Sequence, residues 1–472
     1  MNPPPTSQPM PKARTLGELK ATEYLALSTR DEMRRNLVRR LRAGEKLFPS
    51  VWGYDETVIP QLTNALVAGH NIIFLGERGQ AKTRLIRSLT ALLDEWIPIV
   101  KGSEVNDSPF APISREARER IAREGDRAEI TWLHRDERYG EKLATPDVTT
   151  ADLIGEIDPV RVAEGRYLAD ERTIHFGLIP RSNRGIFAIN ELPDLPEKVQ
   201  VSLFNLLEER DLQIKGYKIR LPLDVVVVAT ANPEDYTNRG RIITPLKDRY
   251  DALIRTHYPK ERSLEIAIME SERRFVGQAA PLRVPEFMKK IVAEFTSQAR
   301  LHPGIDQRSG VSVRLTISNY ESLLANAEQR AILREEKEIV PRITDLRAIL
   351  PSTLGKLELE YTGEDQKEED VIEKLLQKAV HQVFSEYFTV DELSEIVGAF
   401  HEGWGVEVSD EMPSAEYAQG IDQIRGLRSA VAKLAPEPSP GLVASAIEFV
   451  LEGLHLHNKL NKEAKGGSVV YR

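Results

Sequence analysis

The sequence predicts an α/β fold: a doubly wound parallel sheet behind a phosphate-binding loop, with a β-hairpin insertion and helical regions after it. Three observations carry this. The apolar run at 72–75 breaks into Gly76, Glu77, Arg78, Gly79, Gln80, Ala81, Lys82 and Thr83, and a helix-like stretch follows. Two further apolar runs, in GIFAINEL (185–192) and at Val225–Val228, each end in polar residues. Segments of helical period separate them, and strands apolar on both faces, alternating with helices, are the pattern of a buried parallel sheet.

The elements follow in order. Residues 1–15, proline-rich and polar, read as a disordered tail, and 16–50 as a helical segment with Leu25, Leu37, Val38 and Leu41 among many arginines. The nucleotide-binding domain is expected over 51–259. It opens with a helix in which Val58, Leu62, Ala65 and Leu66 fall at helical spacing. Residues 97–142 are charged and irregular, an insertion or a surface helix whose arginines suit solvent better than nucleic acid. A hairpin is expected within 143–180, with strands near 166–168 and 172–176. After the 185–192 strand, Val199, Leu203, Leu206 and Leu207 share a helix face, and a second hairpin turns at Lys215, Gly216 and Tyr217.

From about 260 the pattern is nearly all helical: a lid over 260–355 and a C-terminal helical region over 356–434. APEPSPG (435–441) reads as a linker, and 442–472 as an amphipathic helix and tail. Phe384, Tyr387 and Phe388 are expected in the core. His455 and His457, two apart on a helix, point to different faces and suit packing or partner docking rather than a metal.

Length and composition narrow the class. A chain of 472 residues can form two or three domains with well-buried cores. With 64 basic against 73 acidic residues the net charge is −9, which argues against bulk non-specific nucleic-acid binding. The absence of cysteine excludes disulfides, thiolate zinc sites and cysteine nucleophiles, and suits a reducing compartment. The N-terminus lacks an apolar segment and no run approaches 18 apolar residues, so neither a signal peptide nor a membrane span is expected. A cytoplasmic protein is the expectation.

The chemistry sits at the strand ends. A glycine-bearing loop between a strand and a helix lets backbone N–H groups approach phosphates, with Lys82 reaching the β/γ-phosphates of ATP and the Thr83 hydroxyl facing Mg²⁺. The usual pattern has glycine where this chain has Ala81, which suits alanine only if φ there is negative. Glu191, ending its apolar strand, is the candidate to polarise the attacking water. Asn190 stands where aspartate is usual; its amide oxygen can accept from a metal-bound water but brings no charge. Asn232, ending the next strand in TANPED, can orient the water, and Asn-Pro is also ordinary turn chemistry.

Together these motifs resemble the AAA+ ATPases, in the branch of MoxR proteins and the magnesium-chelatase ATPase subunit, over roughly 48–350. The resemblance rests on GYDETVIPQLTNALVAGHNIIFLGERGQAKT, DLIGEIDP, GLIPRSNRGIFAINELPDLPEKVQVSLFNLLEERDLQI, VVVVATANPED and TPLKDRYD, in that order. It implies a ring, commonly hexameric, with ATP and Mg²⁺ held between subunits. It also implies Arg249 as the finger reaching a neighbour's γ-phosphate and Arg314 in GVSVRLTI as a lid-helix sensor, with Arg181 and Arg184 as alternative boundary arginines. Without that context Arg249 reads as a surface ion pair with Asp248 or Asp251.

The branch further implies coupling of hydrolysis to remodelling, metal insertion or maturation of a partner, commonly a von Willebrand factor A domain protein. Alternative readings are the chelatase motor itself, a nucleic-acid motor or transcription activator, and a slow or non-hydrolysing scaffold stabilised by nucleotide. The negative charge weighs against the nucleic-acid reading, and Asn190 keeps the scaffold reading open.

Overall fold

The computed structural model describes residues 9–158, 160, 171–209, 211–213, 220–233, 241–275, 279–306, 310–359, 367–409, 411–420, 423–465 and 468–472. The chain forms two compact units, Met1–His257 and Tyr258–Arg472.

In the first unit the strands are β1 (Ile72–Leu75), β2 (Trp96–Val100), β3 (Ile130–His134), β4 (Tyr139–Leu143), β5 (Gly155–Ile157), β6 (Ile174–Phe176), β7 (Gly185–Asn190), β8 (Asp211–Gln213), β9 (Arg220–Pro222), β10 (Val225–Ala231) and β11 (Ala252–Arg255). Five form a parallel sheet in the order β11-β1-β10-β7-β4. From β1 the chain crosses to the far edge at β4, returns through β7 and β10, and finishes with β11 on the other side of β1. The carboxyl end of β1 therefore opens at the reversal of strand order, where open α/β sheets form their ligand crevice.

Period-two alternation assigns the two faces. Ile72, Phe74, Ile186, Ala188, Val226 and Val228 share one core with residues of the helices Thr29–Arg42, Val58–Ala68 and Lys82–Ser88. Ile73, Phe187, Ile189, Val225, Val227 and Ala229 pack on the other side with Val199, Leu203, Leu206 and Leu207. All four residues expected on the 58–68 helix are buried.

Several expectations are corrected. The 97–142 segment is not simply an insertion. It supplies β2 and β3, which pair antiparallel, a helix at Arg115–Glu124, and β4, the edge strand of the central sheet. YGEKL lacks the apolar signature because an edge strand is half-solvated. Residues 13–15 are ordered: the Trp132 indole donates to the Ala13 carbonyl at 2.8 Å, Ile130 N donates to Arg14 O at 2.9 Å, and Thr15 bridges to Glu129. The first hairpin pairs β5 with β6; its expected strand at 166–168 lies outside the described residues. The second pairs β8 with β9, and its turn at 215–217 is likewise outside them.

The second unit is helical around one core, with the helices Arg262–Glu272, Glu286–Leu301, Val313–Leu333 and Glu368–Tyr387 contributing to it. At its centre runs Pro440–Leu456, which is buried on every side rather than amphipathic. Phe287 stacks on Phe449 with centroids 4.3 Å apart, and a Cβ at Gly453 would fall 1.9 Å from the Phe384 ring, so only glycine permits that approach. The expected linker is thus a short approach to the core helix, capped by Ser439. Phe384 and Phe388 are buried and Tyr387 partly so. His457 stacks on His381 at 4.1 Å, while His455 meets the Tyr471 edge. A small antiparallel sheet, β12 (Val406–Val408), β13 (Lys462–Lys465) and β14 (Ser468–Tyr471) in the order β12-β14-β13, interrupts the all-helical expectation. Among the described residues, no helix is long and apolar enough to cross a membrane.

Candidate nucleotide site

The loop from Gly76 to Ala81 leaves the end of β1 and enters the helix at Lys82. It is pinned from behind. The Tyr54 hydroxyl lies 2.8 Å from Gln80 O and 2.9 Å from His257 O, and Thr256 donates to the Gln80 side chain at 2.7 Å. Burial pushes the Tyr54 phenol up to about 12, so it remains a donor at neutral pH. A Cβ on Gly76 would lie 2.0 Å from Thr256 Oγ1 and 2.2 Å from Gln80 Oε1, so packing excludes any side chain there. Gln80 turns its side chain inward, leaving its backbone to line the loop, while Glu77 is half-buried and Arg78 exposed.

Ala81 does not have the negative φ expected of it. It sits in the left-handed region at φ 55°, as Gly79 does at 76°. An L-residue there costs about 1–2 kcal/mol, a strain typical of ligand-clamping loops. Glu191 is also left-handed, φ 55°, where β7 ends and the chain turns sharply.

The strand ends bring three of the expected residues together. Buried Lys82 donates to Gly76 O, to Glu77 O at 2.8 Å and to the Asn232 amide oxygen at 2.7 Å. Asn232 in turn donates to Glu191 Oε2 at 2.5 Å. The Glu191 backbone N–H donates to Thr230 Oγ1 at 3.0 Å, and that hydroxyl lies 3.5 Å from Asn190 Oδ1. Thr83 is half-buried in the first turn of the helix.

Asn190 has a neighbour that sequence reasoning missed. Its amide nitrogen donates to Glu141 on β4 at 2.5 Å. Glu141 also accepts from Arg87 at 2.9 and 3.2 Å and from the Tyr139 hydroxyl at 2.9 Å. Burial pushes the Glu141 carboxyl up, but the Arg87 and Tyr139 hydrogen bonds outweigh it and hold the group below the usual carboxylate range. The only advance signal was Glu141 as a charge in an otherwise unassigned segment.

Among the described residues, no three His, Cys, Asp or Glu side chains gather as a metal cage. Mg²⁺ at a nucleotide needs no such cage, because it keeps its waters and takes one or two protein oxygens beside the phosphates. Thr83 and Asn190 offer such oxygens.

The arginines separate. Arg249 pairs with Glu208 at 2.7 Å and lies 4.6 Å from the Phe204 ring centroid, so its partner is neither Asp248 nor Asp251. Asp251 instead accepts from Asn71 N at 2.8 Å. Arg184 is buried within its own unit, donating to Pro98 O at 2.6 Å, and burial pulls its guanidinium down. That rules it out as an accessible boundary arginine, whereas Arg181 is exposed. Arg314 is exposed in the first turn of Val313–Leu333, in the second unit.

Residues 128–250 match the family model described as AAA domain (dynein-related subfamily), a span that holds Asn190, Glu191, Asn232 and Arg249 and begins beyond the Gly76–Ala81 loop. The magnesium-chelatase subunit ChlI of Nostoc sp. is 28% identical over 258 residues, 53% of this chain and 63% of the relative. The ChlI subunit of Chlorella vulgaris is 26% identical over 262 residues, 53% of this chain and 68% of that one. The chain thus spans less than two thirds of the length of the Nostoc relative. A structure of the complex between subunits BchI and BchD of magnesium chelatase covers 70% of this chain and 98% of its own at 19% identity, with a TM-score of 0.34. The chain carries an AAA domain, and its resemblance to the magnesium-chelatase ATPase subunit holds at low identity.

Proposed function

We propose that this AAA-domain protein is an ATP hydrolase that binds MgATP between the subunits of a ring and uses hydrolysis to remodel, or insert metal into, a partner protein. The observation that supports the chemistry most is the continuous hydrogen-bonded chain Lys82–Asn232–Glu191 at the mouth of the loop. Lys82 grips the β/γ-phosphates, and its present hold on Asn232 is exchanged for them. Glu191 polarises the attacking water, while Asn232, anchored to Glu191, keeps that water in line. Thr83 and Asn190 would hold Mg²⁺, which would supply charge neutralisation at the phosphate oxygens. Arg249 acts on a neighbour's nucleotide after leaving Glu208, and Arg314 serves as the second sensor from the helical unit. A ring, commonly a hexamer, and a von Willebrand factor A domain partner accord with the resemblance to the chelatase branch.

ATPase rate against protein concentration tests this reading. Specific activity should rise steeply as the ring assembles, and Lys82→Ala should lose nucleotide binding itself. A flat specific activity, or nucleotide binding unchanged in Lys82→Ala, would defeat it. One observation favours a second reading, a slow, nucleotide-stabilised scaffold: Asn190 brings no charge to the metal side of the site.

A further inference from the structure

The neighbour of Asn190 deepens that reading and rests on it. The face of β7 that carries Ile186 and Ala188 toward the Lys82–Ser88 helix ends in Asn190. On adjacent β4, in register with Ala188, stands Glu141. The helix supplies Arg87, one turn beyond Thr83 and on the same side. These residues meet: the Asn190 amide nitrogen, Arg87 Nε and Nη2 and the Tyr139 hydroxyl all donate to the Glu141 carboxylate.

An ionised carboxylate only accepts, so the amide edge of Asn190 facing Glu141 must be its NH₂. The other edge, Oδ1, is thereby turned away from Glu141, toward Thr230. A lone asparagine could present either edge to a metal-bound water, and one of them repels it. We propose that Glu141 is a positioning residue for the metal side of the nucleotide site: from the adjacent strand it holds the Asn190 amide nitrogen, which leaves the oxygen on the opposite edge, beside Thr230, and it places a carboxylate next to the uncharged Asn190. Arg87 and Tyr139 hold Glu141 in place. Side chains that orient a ligand from behind commonly change metal affinity about 10–100-fold when removed.

The relationship predicts opposite effects of one substitution in two backgrounds. Asn190→Asp alone removes the NH₂ that donates to Glu141 and sets an acceptor oxygen against another acceptor, so the side chain is no longer held. In a Glu141→Gln background the same aspartate meets a neutral amide donor and needs no orientation. The experiment titrates Mn²⁺ by electron paramagnetic resonance into the full chain saturated with a non-hydrolysable ATP analogue, with analogue binding in EDTA measured beside it.

Glu141→Gln should raise the Mn²⁺ concentration for half-saturation about tenfold and leave metal-free analogue binding unchanged. Asn190→Asp should weaken Mn²⁺ in the native background and restore it in Glu141→Gln. Should Glu141→Gln alone not fold, Asn190→Asp compared with the double variant makes the same test. An unchanged Mn²⁺ midpoint in Glu141→Gln, or an Asn190→Asp effect of the same sign in both backgrounds, overturns the role of Glu141 and leaves the nucleotide reading standing. A native chain that binds no analogue overturns both.

Discussion

The Asn232 amide nitrogen donates to the Glu191 carboxylate at 2.5 Å, tying the carboxyl end of β10 to that of β7. With its oxygen on Lys82, the same amide spans the gap between the phosphate loop and the candidate water-polarising group. Three residues separated widely in the chain are thereby joined by side-chain hydrogen bonds.

Glu191→Gln and Asn232→Ala should split binding from turnover. Both keep Lys82 in the loop, so nucleotide affinity should stay within a few-fold. Turnover should fall roughly 10²–10⁴-fold in Glu191→Gln, the usual contribution of a positioned base. Single-turnover hydrolysis beside equilibrium nucleotide binding measures both quantities, and an equal loss in each would contradict the assignment.

Arg249→Ala should reduce turnover by roughly 10³–10⁵-fold, the range for arginine fingers, with nucleotide affinity preserved. Mixing inactive Arg249→Ala with inactive Lys82→Ala should recover activity, because each subunit contributes to a different half of a shared site. No recovery in mixed rings would mean Arg249 does not act across a boundary.

Ala81→Gly should stabilise the first unit by about 1 kcal/mol, since glycine relieves the left-handed strain and repays part of that in unfolded-chain entropy. Ala81→Val should destabilise it, because β-branching disfavours positive φ. Urea midpoints of the three proteins decide the order.

Arg138 makes a bidentate ion pair with Glu32 at 2.7 Å for each contact, and Arg138 is 1% exposed. It also donates to Arg184 O at 2.7 Å, so the residue before β4 is fastened to the residue before β7 by this bond and to the Thr29–Arg42 helix by the Glu32 pair. Arg138→Ala should cost about 3–5 kcal/mol by stranding a buried carboxylate, read as a shift of the denaturation midpoint. A loss below 1 kcal/mol would put the pair in the class of exposed bridges.

Although His381 is largely exposed, partial desolvation, reinforced by the neighbouring His457 ring, holds it below the ordinary histidine value. The unfolded chain therefore takes up this proton first as pH falls. Stability of the second unit should decline from about pH 6.5 down through the lower folded value and be fully present above that range. Thermal melts at pH 7.5 and 5.5 should show a smaller pH effect in His381→Gln; an identical effect would remove His381 as its source.

What could be read in the sequence was whatever a short window encodes. The loop chemistry of Gly76 to Thr83, the apolar strands ending at Asn190 and Asn232, and the helix carrying Val58, Leu62, Ala65 and Leu66 are local patterns of period, glycine and charge. The sheet class followed from them because strands buried on both faces leave few alternatives. The polar edge strand β4 carried no such signature, and so Glu141 went unseen.

Its meeting with Asn190 depends on strand register, and the Arg249–Glu208 pair on how separate segments pack. The left-handed backbone of Ala81 is imposed by the folded loop against alanine's own preference. The helix Pro440–Leu456 became a core because other helices surround it. Periodicity is a property of neighbouring residues, whereas register, enclosure and backbone strain belong to residues brought together from afar, and only the tertiary structure decided those.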